Sequence, residues 1–194
     1  MVLNHFSHTF SSGSKTALLG ETGVGKTTLF RLMLALVQPE SGTLSIVDNG
    51  VERPINEDTR NYFVFVPQGN TLMSGSIRFN LLLANPQASE EELRDVLHTA
   101  VADFVFDFPE GLETELGEHA NCISEGQAQR ISIARGLLRP GNILLLDEIS
   151  SSLDEHTEQM LYERLIKKYP YKTMIFITHR SSVLKICDEV ITLK

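Results

Sequence analysis

The chain has 194 residues, a formal net charge of −8 and 42% hydrophobic residues, which is typical of one globular domain. The acidic balance argues against duplex nucleic acid as the main partner, because binding to its phosphates depends on Lys and Arg. No apolar run approaches the ~18 residues that a membrane-spanning helix needs. The two cysteines form neither a metal-ligand motif nor a disulfide framework.

Strands and helices are predicted to alternate in the first third of the chain. The apolar run over 16–19 ends at Gly20 and is typical of a buried strand. A helix is predicted over 27–37, where leucine and methionine recur at helical spacing. Clusters of β-branched and aromatic residues indicate further strands over 43–48 and 62–66.

The middle of the chain is predicted to be mainly helical, over about 74–117. A capping box opens one of these helices, with Ser89 at the N-cap and Glu92 three residues later. A second long helix is expected over 125–138.

Strands return in the last third of the chain, over 142–146, 173–178 and 189–193. Between the first and second of these, Asp154 is predicted to cap a helix that runs to about Lys168. Strands that alternate with helices favour an α/β fold with a mostly parallel sheet, into which the helical middle is inserted.

The segment 20–27 carries the first motif with chemistry. Its residues are Gly20, Glu21, Thr22, Gly23, Val24, Gly25, Lys26 and Thr27. They fit G-x-x-x-x-G-K-[ST] between a predicted strand and a predicted helix, which is the context of a phosphate-binding loop. Backbone N–H groups of such a loop surround phosphate oxygens, and the helix N-terminus adds partial positive charge. We expect Lys26 to reach the β- and γ-phosphates and the Thr27 hydroxyl to bind Mg²⁺.

Two carboxylates, Asp147 and Glu148, follow the buried strand over 142–146. Ligands bind at the carboxyl ends of strands in open α/β sheets. Asp147 is therefore a candidate Mg²⁺ ligand, directly or through water. Glu148 is a candidate general base that polarises an attacking water. With the phosphate loop, these carboxylates predict a nucleoside-triphosphate hydrolase.

Further segments narrow this broad class by resemblance. The residues Ile123-Ser124-Glu125-Gly126-Gln127 resemble the L-S-G-G-Q signature of ATP-binding-cassette (ABC) ATPases. Gln68 resembles the Q-loop glutamine of that family, the segment 151–154 resembles the D-loop, and His179 resembles the switch histidine. The segments 73–80 and 111–118 are similar to stretches of exporter-type cassettes. The chain is thus identified as resembling an exporter-type ABC nucleotide-binding domain.

The resemblance implies a single ABC ATPase domain over 1–194. A RecA-like core would cover about 1–73 and 139–194, and a helical subdomain about 74–138. It also implies a truncated antiparallel β edge. The segment 2–6 resembles a strand that in the family follows an adenine-stacking aromatic, and Phe6 and Phe10 are poor substitutes for that aromatic by position. We therefore expect an N- and C-terminally truncated fragment.

The resemblance also implies roles for individual residues. Lys26, Thr27 and Thr28 would hold phosphates and metal. Gln68 would sense Mg²⁺ and the attacking water, and the metal ligands would be Thr27, Gln68 and Asp147. Glu148 would activate the water and His179 would contact the γ-phosphate. The implied cofactors are ATP and Mg²⁺.

In this family two cassettes meet head to tail around two ATP molecules, and hydrolysis reopens the dimer. Ser124, Glu125, Gly126 and Gln127 would then complete the partner's site, and Asp154 would bridge the two subunits. The implied partners are a second cassette, in a homo- or heterodimer, and a transmembrane domain that is fused or separate. The implied location is the cytoplasmic face of the cell membrane, as a peripheral protein or as part of an integral one.

Glu125 departs from the family, since it stands in place of the first glycine of the signature pair. Either its side chain points to solvent and the pattern is L-S-x-G-Q, or the signature is weakened and works opposite a better partner in a heterodimer.

Two other functions stay open, a soluble ABC ATPase that acts on DNA or ribosomes and a non-hydrolysing regulatory cassette. The intact Lys26, Asp147, Glu148 and His179 argue against the second.

Overall fold

The structure is a computed structural model that describes residues 3–117 and 122–194. These residues form two compact units. The first comprises 3–64, Pro140–Asp147 and Lys172–Lys194, and the second comprises 65–117, 122–139 and Glu148–Tyr171. The predicted division into a core and a helical subdomain with boundaries near 73 and 139 stays a prediction.

Strands and helices alternate along the described chain. The strands are β1 (Lys15–Leu19), β2 (Ser45–Asp48), β3 (Val51–Pro54), β4 (Phe63–Val66), β5 (Gly75–Ser76), β6 (Glu115–Leu116), β7 (Ile143–Asp147), β8 (Thr173–Ile177) and β9 (Glu189–Thr192). The helices are α1 (Lys26–Met33), α2 (Ile77–Leu82), α3 (Glu90–Thr99), α4 (Glu125–Leu137), α5 (Glu155–Lys168) and α6 (Ser181–Leu184). Short 3-10 helices cover Asp58–Tyr62, Asp103–Asp107 and Gly111–Glu113.

A five-stranded sheet in the order β4-β7-β8-β1-β9 organises the first unit. β8 pairs in parallel with β7 and with β1, and β9 pairs in parallel with β1. Every residue of β8 is buried, which explains its unbroken apolar run, since a strand buried on both faces does not alternate. The α/β class and the mostly parallel sheet predicted from the sequence are confirmed. Each predicted strand of this sheet lies within one residue of its expected bounds.

An antiparallel hairpin, β2–β3, also belongs to the first unit. Asn49 and Gly50 form its turn with φ of 50° and 77°, the left-handed values that a type I′ turn requires. β2 was predicted from the sequence but β3 was not, although Asn-Gly is a strong hairpin signal. The expected strand over 2–6 is wrong for residues 3–6, which form no strand. The left-handed backbone of His5, with φ of 51°, interrupts an extended conformation there.

The second unit holds the longer helices, and their ends follow the predicted capping. In the capping box of α3, Ser89 Oγ accepts from the Glu92 N–H, and the Glu92 carboxylate accepts from the Ser89 N–H. α5 is joined to α3 and to the 3-10 helix after it by the ion pairs Lys168–Asp95 and Arg164–Asp103, at 2.5 and 2.7 Å. α3, α4 and α5 confirm three predicted helices.

The first helix and the helical middle differ in detail from their predicted forms. α1 ends at Met33 rather than near residue 37, because Ala35 adopts a left-handed φ of 51° that a helix cannot continue through. The mainly helical middle also contains the two-residue strands β5 and β6, which pair antiparallel. None of the described helices has the length and apolarity that a bilayer-spanning segment requires.

Candidate functional site

The predicted phosphate loop connects β1 to α1 in the first unit. Residues 20–25 form the turn, and Lys26, Thr27 and Thr28 are the first three residues of α1. An ideal Cβ at Gly20 would lie 2.8 Å from the Leu193 carbonyl oxygen, so only glycine fits there. α1 has no side-chain cap and no acidic residue in its first turn. No carboxylate of that turn therefore competes with an anion for the partial positive charge of the helix N-terminus.

The side chain of Lys26 lies within this loop. Its residue is 7% exposed, and its Nζ donates to the carbonyl oxygens of Gly20 and Glu21 at 2.5 and 3.0 Å. Folding of the loop therefore buries a cationic group at the start of α1. Positive charge at a helix N-terminus is suited to phosphate oxygens.

Thr27 and Asp147 come together at the carboxyl end of β7. The Thr27 hydroxyl donates to Asp147 Oδ2 at 3.4 Å, and Asp147 is 7% exposed. A hydroxyl and a carboxylate are the hard oxygen donors that Mg²⁺ prefers, with phosphate oxygens and waters as its other ligands. This pair fits the predicted magnesium site. Residues 3–117 and 122–194 contain no group of three or more His, Cys, Asp or Glu side chains that could hold a metal ion.

His179 lies beside the start of the phosphate loop. β8 ends at Ile177, and the following residues lead His179 into a cavity of about 430 Å³. The lining residues are Leu19, Gly20, Glu21, His179, Ser181 and Leu184. The structure thus brings a predicted γ-phosphate contact and the predicted phosphate loop to one cavity within the first unit.

Glu148 follows Asp147 in the chain and belongs to the second unit. Its φ is 46°, a left-handed conformation that costs an L-residue with a bulky side chain roughly 1–2 kcal/mol. Gln68 Nε2 donates to Glu148 Oε2 at 3.0 Å, so Gln68 contacts the predicted general base. Backbone strain of this kind persists where neighbouring groups fix the conformation, as is common at functional sites.

The signature-like residues open α4. Ser124 Oγ accepts from the Gln127 N–H at 3.1 Å, and Gln127 Oε1 accepts from the Ser124 N–H at 2.9 Å, which is a reciprocal capping box. Glu125 is exposed. An ideal Cβ at Gly126 would lie 2.9 Å from the Ser152 carbonyl oxygen. The close approach of the chain at Ser152 therefore requires glycine at 126 but not at 125.

Asp154 caps α5 through two hydrogen bonds to one residue. Its Oδ1 accepts from the Thr157 N–H at 3.0 Å, and its Oδ2 accepts from Thr157 Oγ1 at 2.7 Å. These bonds, the backbone one foremost, hold the pKa of the Asp154 carboxyl below its usual value. The predicted cap is confirmed, and the bridge between subunits stays a prediction.

The exporter-like segment 73–80 is organised by Asn80, which is fully buried. Its side-chain amide donates to the Met73 and Ser76 carbonyl oxygens at 2.9 and 3.0 Å, and its Oδ1 accepts from the Met73 N–H at 2.8 Å. The asparagine therefore closes the turn before α2. In the second exporter-like stretch, Glu118 lies outside the described residues.

The aromatics near the start of the chain pack against a histidine. The rings of His8 and Phe10 meet edge to face with centroids 4.6 Å apart, and those of Phe6 and His8 are 6.3 Å apart. Sequence analysis singled out both phenylalanines but missed Gln129, a buried polar residue of α4. Its neighbours on the same side of the helix include Glu125 and Ser132, so the sequence pattern did not mark it as buried.

Comparisons with known proteins cover nearly the whole chain. The sequence model of the ABC transporter family matches residues 3–151. The ABC transporter ATM1 of Toxoplasma gondii is 36% identical over 100% of this chain and 17% of its own length. The heterocyst differentiation ATP-binding protein HepA of a Nostoc species is 37% identical over 100% of this chain and 32% of its own length.

One solved structure is similar in both sequence and fold. It is that of a bacterial Atm1-family ABC exporter with ATP bound, with 32% identity and a TM-score of 0.91. The match covers 100% of this chain and 34% of that chain. The present chain thus spans about a third or less of the length of these proteins.

The close approach at Gly126 gives a first testable prediction. In Gly126→Ala the new Cβ must displace the Ser152 carbonyl, and overpacking of this kind costs about 1–3 kcal/mol. We expect a loss of that size in the free energy of unfolding, measured by urea denaturation. Gly117→Ala is the matched control, since no described atom lies within 4 Å of its ideal Cβ. Equal stability of the two variants would contradict the packing argument.

Proposed function

The chain belongs to the ABC transporter family, and we propose that it hydrolyses Mg²⁺-bound ATP to ADP and phosphate to power export across a membrane. The family predicted from the sequence is confirmed by the family model, and the exporter type is supported by the solved Atm1-family ABC exporter. ATP binding follows from the family. The observation that carries the proposal of hydrolysis is the pairing of Thr27 with Asp147, the residue directly before Glu148.

The binding step uses the first unit. Lys26 and the N–H groups of the loop bind the β- and γ-phosphates, and Thr27 and Thr28 extend these contacts along the first turn of α1. Mg²⁺ would be held by Thr27, Asp147 and Gln68 and would neutralise charge on the phosphates. His179, in the cavity at the start of the loop, contacts the γ-phosphate.

The chemical step uses Glu148 as a general base. A water oxygen attacks the γ-phosphorus, the bond from that phosphorus to the β–γ bridging oxygen breaks, and ADP leaves. Glu148 takes a proton from the water as the new P–O bond forms. The Gln68 amide supports this role because its hydrogen bond fixes the carboxylate at Oε2.

We also propose that a second cassette completes each site. Ser124, Glu125, Gly126 and Gln127 lie at the N-terminus of α4, a 13-residue helix, and would direct its partial positive charge at the partner's γ-phosphate. Asp154 would contact the partner subunit. ATP closes this dimer and hydrolysis opens it.

The transmembrane partner and the location follow from the exporter type. Closing and opening of the dimer at the cytoplasmic face of the membrane would move a membrane domain that is fused or separate. The ABC ATPase domain would cover the chain, with the helical subdomain over about 74–138. The similarity to a solved ABC exporter favours this function over a soluble ABC ATPase acting on DNA or ribosomes.

The general base is tested by Glu148→Gln in the natural assembly. The amide cannot accept the proton, so we expect hydrolysis to fall by about 10²-fold or more. Because Lys26 and Thr27 bind the phosphates, the Kd for Mg-ATP should stay within about twofold of the wild type, and the closed dimer should accumulate. Phosphate release and nucleotide binding are measured in parallel.

Glu155→Gln is the matched control for this experiment. Glu155 is an exposed carboxylate in the first turn of α5, and its amide variant should hydrolyse ATP at the wild-type rate. Undiminished hydrolysis in Glu148→Gln would overturn the assignment of the base. Loss of hydrolysis in both variants would indicate general damage to the segment from Glu148 to the start of α5.

Glu125 distinguishes a standard signature from a weakened one. Its exposure at the start of α4 places a negative charge at a helix end that would face phosphate. If that charge weakens the site in a heterodimer, Glu125→Gly raises the ATPase rate of the assembled transporter, since a repulsion is removed. The readout is the steady-state rate at low and high salt. An unchanged rate would show that Glu125 points to solvent in an L-S-x-G-Q pattern.

A further inference from the structure

The amide of Gln129 joins α4 to the segment that carries Glu148. Gln129 is 1% exposed and lies on the inner side of α4. Its Nε2 donates to the Glu148 carbonyl oxygen at 3.2 Å. Its Oε1 accepts from the Ser152 N–H at 3.3 Å and from the Ser152 hydroxyl. One buried side chain thus uses both ends of its amide on two residues of a single loop.

We propose that Gln129 is a positioning residue for the general base, which holds the backbone of Glu148 in the conformation that hydrolysis requires. This inference rests on the proposed function and extends it to a residue that contacts neither nucleotide nor water. Gln129 acts through Glu148 and Ser152.

The need for such a contact comes from the backbone of Glu148. With φ of 46°, the peptide that follows Glu148 is turned into a conformation that an extended or helical chain would not adopt. The Glu148 carbonyl oxygen accepts from the Ser151 N–H at 3.1 Å as well as from Gln129 Nε2, and both hydrogen bonds stabilise that turn. The Gln68 amide fixes the other part of the residue, the carboxylate, at 3.0 Å. A glutamine side chain thus contacts each part of Glu148, and Gln129 adds a contact from α4 to the backbone turn.

The contacts at Ser152 secure the far side of the same loop. The Ser152 N–H and hydroxyl meet Gln129, while its carbonyl oxygen approaches the Cα of Gly126 so closely that an added Cβ would lie at 2.9 Å. Ser152 therefore contacts α4 at two positions about one turn apart, Gly126 and Gln129. Since α4 begins with the signature residues, a shift of this helix displaces the loop from Glu148 to Ser152 with it.

A positioning role makes a specific kinetic prediction. The phosphates are proposed to bind at Lys26 and Thr27, and Gln129 acts only on the placement of the base. Its loss should lower kcat and leave KM for Mg-ATP nearly unchanged, because an interaction of this kind contributes only in the transition state. A merely structural role would lower the amount of folded protein without changing the turnover of each folded molecule.

The test compares Gln129 variants in the natural assembly, with kcat expressed per molecule that binds nucleotide. Gln129→Met has a similar shape and loses both ends of the amide. Gln129→Glu keeps an acceptor for Ser152 but replaces the donor to the Glu148 carbonyl with a second acceptor. We expect kcat to fall at least tenfold in both variants, with KM within twofold of the wild type. Ser152→Ala, which removes one hydroxyl donor, should lower kcat less than threefold.

Ser132→Ala is the matched control on the same helix. Ser132 is 5% exposed, and no partner for its Oγ is found among the described residues; its variant should retain the wild-type kcat and KM. A wild-type kcat in folded Gln129→Glu would overturn the inference, and this variant carries the test if Gln129→Met does not fold. A raised KM at constant kcat would also overturn it. Absence of hydrolysis by the wild type would instead contradict the proposed function on which the inference rests.

Discussion

The left-handed backbone of Glu148 is the constraint on which the rest of the site depends. β7 brings Asp147 beside Thr27, and the next residue must turn out of the strand with φ of 46°. A carboxylate with the proposed role of general base cannot be exchanged for glycine, the residue that adopts this conformation without cost. Hydrogen bonds from the side-chain amides of Gln68 and Gln129 hold the strained residue at its carboxylate and its carbonyl oxygen.

This constraint gives a reason for the burial of Gln129 in the second unit. Gln129 places an uncharged amide in the interior of α4, where each end finds a partner. A buried amide with unsatisfied ends would cost about 1–3 kcal/mol for each lost partner, so the loop geometry that supplies these partners stabilises the buried position of Gln129. Gly126 serves the same loop by leaving room for the Ser152 carbonyl. The hydrogen bonds of Gln129 and the close packing at Gly126 thus fix the loop that carries Glu148.

The sequence predicted what local signals determine. The parallel sheet followed from apolar runs, and the ends of α3 and α5 followed from the capping residues Ser89 and Asp154. The G-x-x-x-x-G-K-[ST] pattern predicted the turn between β1 and α1, and the carboxylates after an apolar run predicted the position of Asp147 at the end of β7. The contacts of Gln129 were not predictable, because they join residues 19 and 23 positions apart and depend on tertiary packing. Strand β3 was missed although the Asn49-Gly50 turn signals it. The strand expected over 2–6 was wrong for residues 3–6, where His5 adopts a left-handed conformation.

The most direct measurement compares the free energies of unfolding of Glu148→Gly and Glu148→Ala in urea. At an ordinary position the glycine variant is less stable than the alanine variant by about 0.5–1 kcal/mol. At a left-handed position the order reverses, because alanine keeps a Cβ that costs about 1–2 kcal/mol there. We expect Glu148→Gly to be the more stable by about 1 kcal/mol. If Glu148→Ala is equally or more stable, the backbone at this residue is not strained, and the role given to Gln129 loses its physical basis.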